Sequence, residues 1–275
     1  MRTRFVIVSI ALVWFAAARA SAQSRVAWVR QSDIIFAGTV TRTDGGIVRV
    51  DQVFEKPDAV SLMKGDSVAV LAARAGSPPL NPGMQATFYS KGCIYGRWIT
   101  VREVGHEAIG PQLATVTGGG AGGTVQQDLV ARARQQVNDA DLKARIQAAA
   151  MVVVGRVEQI RPPAYTGAPA RPKRFTEHDP NWQEAIIHVD EALKGATAGE
   201  RVVVRFPGSR DVAFVGTPRF AAGQEGTFLF QKDTATGSPF TLMAGQSVQA
   251  YTALHRLDVL PKQEAQRVRA LMRGP

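Results

Sequence analysis

The residue types that could do chemistry are few and scattered. Glu177, His178 and Asp179 stand side by side in "TEHDP", and carboxylates beside an imidazole are the groups from which metal sites are built. Ligands for one ion usually converge from separate segments, while neighbours on an extended loop point apart, so the run reads as a solvated polar loop. Ser67 lies in "GDSVA" (Gly65 to Ala69), a setting that could hold a nucleophile. Such a serine needs a histidine base and an orienting acid, and none of His106, His178, His188 and His255 can be assigned that part. Gly118 to Gly123, "GGGAGG", has the spacing of a dinucleotide-binding loop, but the strand before it is feeble, so a linker is expected and no cofactor. The single cysteine, Cys93, has Lys91 and Arg97 near it in sequence, which favours a thiolate; a bystander thiol is the plainer reading. No catalytic, cofactor-binding or metal-ligating set assembles. A binding role is therefore expected before a catalytic one, with a hydrolase whose site escapes recognition as the alternative.

One stretch concentrates groups suited to binding. "RPPAYTGAPARPKRFTEHDPNW", Arg161 to Trp182, interleaves Arg161, Arg171, Lys173 and Arg174 with Tyr165, Phe175 and Trp182. Cations and aromatic faces in alternation could hold an anionic or polymeric partner by charge and stacking. The prolines in the same stretch also suit a solvated, partly polyproline loop with no partner, and both readings stay open.

The elements that must position these residues are written twice. "SDIIFAGTV" matches "AAMVVVGRV", "IVRVDQVF" matches "IIHVDEAL", "KGDSVAVL" matches "AGERVVVR" and "GMQATFYSK" matches "GQEGTFLFQ", in the same order. Each block alternates apolar, often β-branched residues, and turn residues separate the blocks, so each is expected to be a strand. His188, between Ile187 and Val189, should face away from the core. A fifth strand is expected at "RWITVREV" and at "SPFTLMAG". Helices are expected at Val26 to Ser32, Val125 to Val137, Leu142 to Ala150 and Pro261 to Arg273. Which unit takes the helix at 125–137 is left open. Gly38 matches Gly155 at an offset of 117 and Val50 matches Val189 at 139, a difference of 22 residues. That places 161–182 as an insertion between the first two strands of the second copy.

The domain plan is then a leader at 1–22, a first β-barrel unit at 23–117, a Gly-rich linker at 118–123, and a helical segment plus second barrel at 124–275. Arg2 and Arg4 precede an apolar run, Phe5 to Ala18, and small residues follow, which is the pattern of a cleaved export signal. The run is short for a membrane span. Removing the leader takes three arginines and no acid, so the net charge falls from +10 to about +7. A moderately basic, disulfide-free exported chain points to the bacterial envelope, periplasmic or extracellular, with an envelope protein or an anionic polymer as partner. Export and the modest charge weigh against nucleic acid. The fold class expected is mainly β with flanking helices, two tandem five-stranded barrels.

A helix leading into "SDIIFAGTV", then "VDQVF" and a Lys-Gly turn, resembles the netrin-like domain of tissue inhibitors of metalloproteinases. The resemblance implies an OB-type barrel and covers the first three strands of each unit. That family inhibits through an N-terminal Cys that chelates the target's metal, whereas the chain here would begin Gln23-Ser24-Arg25. Only the fold is implied.

Overall fold

In the computed structural model the described residues are 22–44, 46–71, 79–95, 98–109, 121–164 and 178–274. Residues 1–21 of the expected leader, 118–120 of the expected Gly-rich linker, and Tyr165, Arg171, Lys173, Arg174 and Phe175 lie outside them, while 121–123 of that linker are helical. The chain is mainly β and divides into two compact units, the first ending at Asn138 and the second starting at Asp139.

The first unit opens with helix α1 (22–31), followed by β1 (Ile34–Arg42), β2 (Ile47–Glu55), β3 (Ser67–Leu71), β4 (Gln85–Tyr95) and β5 (Trp98–Ala108). Pairing runs β1-β2-β3-β5-β4 and returns to β1, so the sheet closes on itself. β3 and β5 are parallel and the other pairs antiparallel. Alternation decides what goes inside: Ile34, Phe36, Val48, Val50, Val68, Val70, Phe88 and Val101 meet in one cluster, with Phe36 and Phe88 stacked at 5.3 Å. The opposite faces of β1 and β4 carry Ile35 and Tyr89, which pack with Val29 of α1 and with Val130, Ala133 and Val137. The last three belong to α2 (Ala121–Ala148). The expected helices at 125–137 and 142–150 are thus one, and its first part packs on the first unit. Burial pushes the Tyr89 phenol up, and the neighbouring Glu107 carboxylate adds to the effect.

In the second unit Leu142 and Ile146, from the later part of α2, pack with Val152, Leu229 and Val268. Its strands are β6 (Met151–Arg161), β7 (Trp182–Lys194), β8 (Arg201–Pro207), β9 (Glu225–Lys232), β10 (Phe240–Met243), β11 (Gln246–Thr252) and β12 (Val259–Leu260), with α3 (Ala265–Arg273) at the end. Five of the strands repeat the first ring: β6-β7-β8-β11-β9 and back to β6, with β8 and β11 parallel. No described helix is long and apolar enough to cross a membrane.

The repeat read from sequence holds down to single pairs. Gly38 faces Val50, and Gly155 faces Val189. Ile34 faces Ser90 as Met151 faces Phe230, and Val70 faces Val101 as Val204 faces Tyr251. The register slips at Ala37/Gly38 and at the matching Val154/Gly155, where the strand bends over its partner. A Cβ there would lie 2.7 Å from the Arg49 carbonyl oxygen in one copy and 2.2 Å from that of His188 in the other. Only glycine permits that approach.

One expectation is corrected. "SPFTLMAG" does not supply the fifth strand of the second ring: among the described strands β10 pairs only with β11, and β11 takes the fifth place. Position five needs residues that can lie against both β8 and β9, and Ala250 and Thr252, both buried, meet that condition. β12 then pairs Val259 with Phe228, the place His106 holds against Phe88 in the first unit.

Candidate functional site

The insertion at 161–182 starts at the last residue of β6 and ends at the first of β7. Arg161 faces Glu184 across that pair. Its Nε donates to Glu184 Oε2 at 3.0 Å and its Nη2 donates to the Leu242 carbonyl. The arginine expected to meet a ligand is therefore engaged within the fold.

Glu184 is the centre of a buried polar cluster. It lies on β7 on the face away from the core residue Ala185, as Arg205 does on β8 between core residues Val204 and Phe206. Both side chains are 0% exposed. Arg205 Nε donates to Glu184 Oε1 at 3.1 Å, and Nη1 donates to Asp233 Oδ2 and Thr236 Oγ1, each at 2.7 Å, and to the Ser238 carbonyl. Its Nη2 donates to the Phe240 carbonyl at 3.0 Å. Glu184 Oε1 accepts from Thr241 Oγ1 at 2.6 Å, and Oε2 accepts from the Ala164 amide at 3.3 Å. Two arginines face two carboxylates, so the charge balances and the desolvated groups are hydrogen-bonded. Such a cluster holds loops in place; it offers no idle base or nucleophile.

The cluster fastens the start of the insertion. Leu242 N donates to the Ala164 carbonyl at 2.9 Å, which ties residue 164 to β10. The end of the insertion is tied elsewhere. Gly208 N and Ser209 N donate to the carbonyls of Asn181 and Pro180, each at 3.0 Å. His178 Nδ1 lies 2.9 Å from Asp211 Oδ2. The Ala213 amide and this histidine hold the Asp211 carboxyl below the usual range. Trp182 is half-buried opposite Pro207. Val212 and Val215, in the 208–224 connection, and Phe240 and Leu242, on β10, are exposed apolar side chains on the two loops that grip the insertion.

The remaining sequence expectations separate cleanly. His178 and Asp179 do not converge on a common centre: Asp179 Oδ1 accepts from the Asn181 amide at 2.9 Å, while His178 faces Asp211. Glu177 lies outside the described residues. Among the described residues, no group of three His, Cys, Asp or Glu is placed to hold a metal ion. Ser67 opens β3, and His106 is engaged with Glu103 at 2.7 Å. His188 faces away from the core, half-buried, as the alternation predicts. Sequence reasoning missed Glu184, Arg205, Asp233, Thr236 and Thr241. The signal was present in "RVVVRF", where a charge inside an apolar strand demands a buried partner.

No protein-family model fits the chain, and no curated protein matches it.

Proposed function

We propose that the chain is an exported, non-enzymatic binding protein of two OB-type, netrin-like barrels, and that it holds an anionic polymer at the loop edge of its second unit. The observation that carries this is the double anchorage of the insertion, at Ala164 to β10 and at Pro180–Asn181 to the 208–209 segment. A long loop fastened at both ends presents its side chains at lower entropic cost than a free one. Between those anchors stand Arg171, Lys173 and Arg174 with Tyr165 and Phe175, the mixture that grips a charged chain with stackable or apolar faces. The five-strand ring supports the OB-type assignment, since loops at the ends of such barrels take oligomeric ligands. Export rests on the leader pattern.

The test replaces residues 165–177 by a Gly/Ser segment of equal length in the mature chain and titrates heparin as a model polyanion. Thermal stability should be unchanged, because the anchors at 161–164 and 178–182 remain. Affinity should fall at least about tenfold as three cations are lost. Undiminished heparin binding by a folded variant would remove the proposal.

A further inference from the structure

The strand registers of the two rings match pair for pair, so a difference between matched positions says what one copy has and the other lacks. On the second ring, the outward face of β7, β8 and β11 carries Glu184, Arg205 and Thr252, all buried. What buries its upper part is the chain's own segment 236–242, held through the Ser238 and Phe240 carbonyls and the Thr241 hydroxyl. Asp233, at the root of that segment, brings a carboxylate to Arg205. The segment exists because 18 residues, 233–250, separate the Lys232–Tyr251 pair, whereas 8 residues, 93–100, separate the matching Gly92–Val101 pair. The first ring is ten residues short of such a cover.

The described residues at the matching places of the first ring are exposed. Leu71, in the place of Arg205, is 46% exposed, and Arg102, in the place of Thr252, is exposed as well. Arg49 on β2 has 58% of its side chain exposed. The arginine has moved one strand across the same registered pair: Leu71 faces Arg102 here, and Arg205 faces Thr252 there. Arg102 in turn faces Lys91 directly across β4–β5. Like charges opposite one another destabilise an antiparallel pair, and the second ring has the neutral Gln231–Thr252 at that position. Arg42 and Arg49 have Asp44 and Asp51 beside them at 3.3 and 3.4 Å, which leaves Lys91–Arg102, among the described residues of this face, as a like-charge pair with no carboxylate beside it.

We propose that this face of the first unit docks an extended acidic peptide segment of a partner protein, seated as 236–242 sits on the second unit. A carboxylate of the segment lies between Arg102 and Lys91, and an apolar side chain lies on Leu71. The inference is independent of polymer binding at the second unit.

The test selects from a library of random, end-blocked ten-residue peptides on the intact mature chain and then measures the winners by fluorescence polarisation. Enriched peptides should carry Asp or Glu beside Leu, Ile, Val or Phe. Arg102→Glu should weaken them at least about tenfold, and Leu71→Arg should do the same through the apolar contact. Lys91→Glu gives a readout that needs no peptide: it replaces a like-charge pair by an opposite one, so the thermal midpoint should rise. No enrichment, enrichment without acids, equal binding to a folded Arg102→Glu chain, or displacement by heparin as readily as by peptide would each overturn the proposal.

Discussion

Glu103 and His106 form a polar pair inside an apolar ring. Both sit on β5, their side chains 2% and 3% exposed, with Nδ1 2.7 Å from Oε1. They share a face because the register slips between Tyr89 and Ser90, so the inward positions run Val101, Glu103, His106. The second ring places Ala253 and Val259 there, both in or against its core. Removing one partner leaves the other desolvated, so His106→Ala should lower stability by about 3 kcal/mol. Glu103→Ala with His106→Val copies the second ring and should return the chain to within about 1 kcal/mol of the parent. Urea unfolding of the three chains checks this. A double variant as unstable as the sum of its parts would mean that the pair is not coupled.

Among the elements, β10 and the 233–239 connection depend on one side chain. Arg205→Leu puts the first ring's residue into the second, leaves Asp233 buried without its arginine and leaves Glu184 with Arg161 alone. Stability should fall by about 3 to 5 kcal/mol. Amide hydrogen exchange should accelerate at 236–242 before it does in β6 or β9, whose ladders do not use Arg205. Uniform acceleration would place the effect elsewhere.

The strand ladders were legible in sequence because a half-buried strand must alternate, and because two copies fix each other's register through Gly38/Gly155 and Gly65/Gly199. The latter two glycines have φ of 95° and 85° and donate to the carbonyls of Val50 and Val189 at 2.8 Å. The fate of "SPFTLMAG" was not legible, since β-propensity does not say which of two adjacent strands closes a ring. The fold contacts of Arg161 were hidden for a related reason. Its partner Glu184 lies beyond the whole insertion, and sequence distance hides cross-strand neighbours at the base of a long loop.

At the scale of the molecule, one ring has been elaborated and the other left plain. The second unit carries the insertion at 161–182, the ten extra residues before its fifth strand, and an excursion at 253–258 between β11 and β12. In that excursion the fully buried Asp258 accepts from the Leu254 and His255 amides and from Arg145. The segment at 236–242 gives the second unit a covered strand face; among the described residues the matching positions of the first unit, Leu71 and Arg102, are exposed. The net charge of +10 assists any anionic partner by long-range attraction, at the mercy of salt.

The measurement that bears most directly on the central claim is the salt dependence of heparin binding by the chain and by its Arg171→Gln/Lys173→Gln/Arg174→Gln variant. If those three cations contact the polymer, the intact chain binds, log affinity falls linearly with log salt, and the variant's slope is shallower by about two to three. No binding at low ionic strength, or the same slope in both chains, would contradict the account.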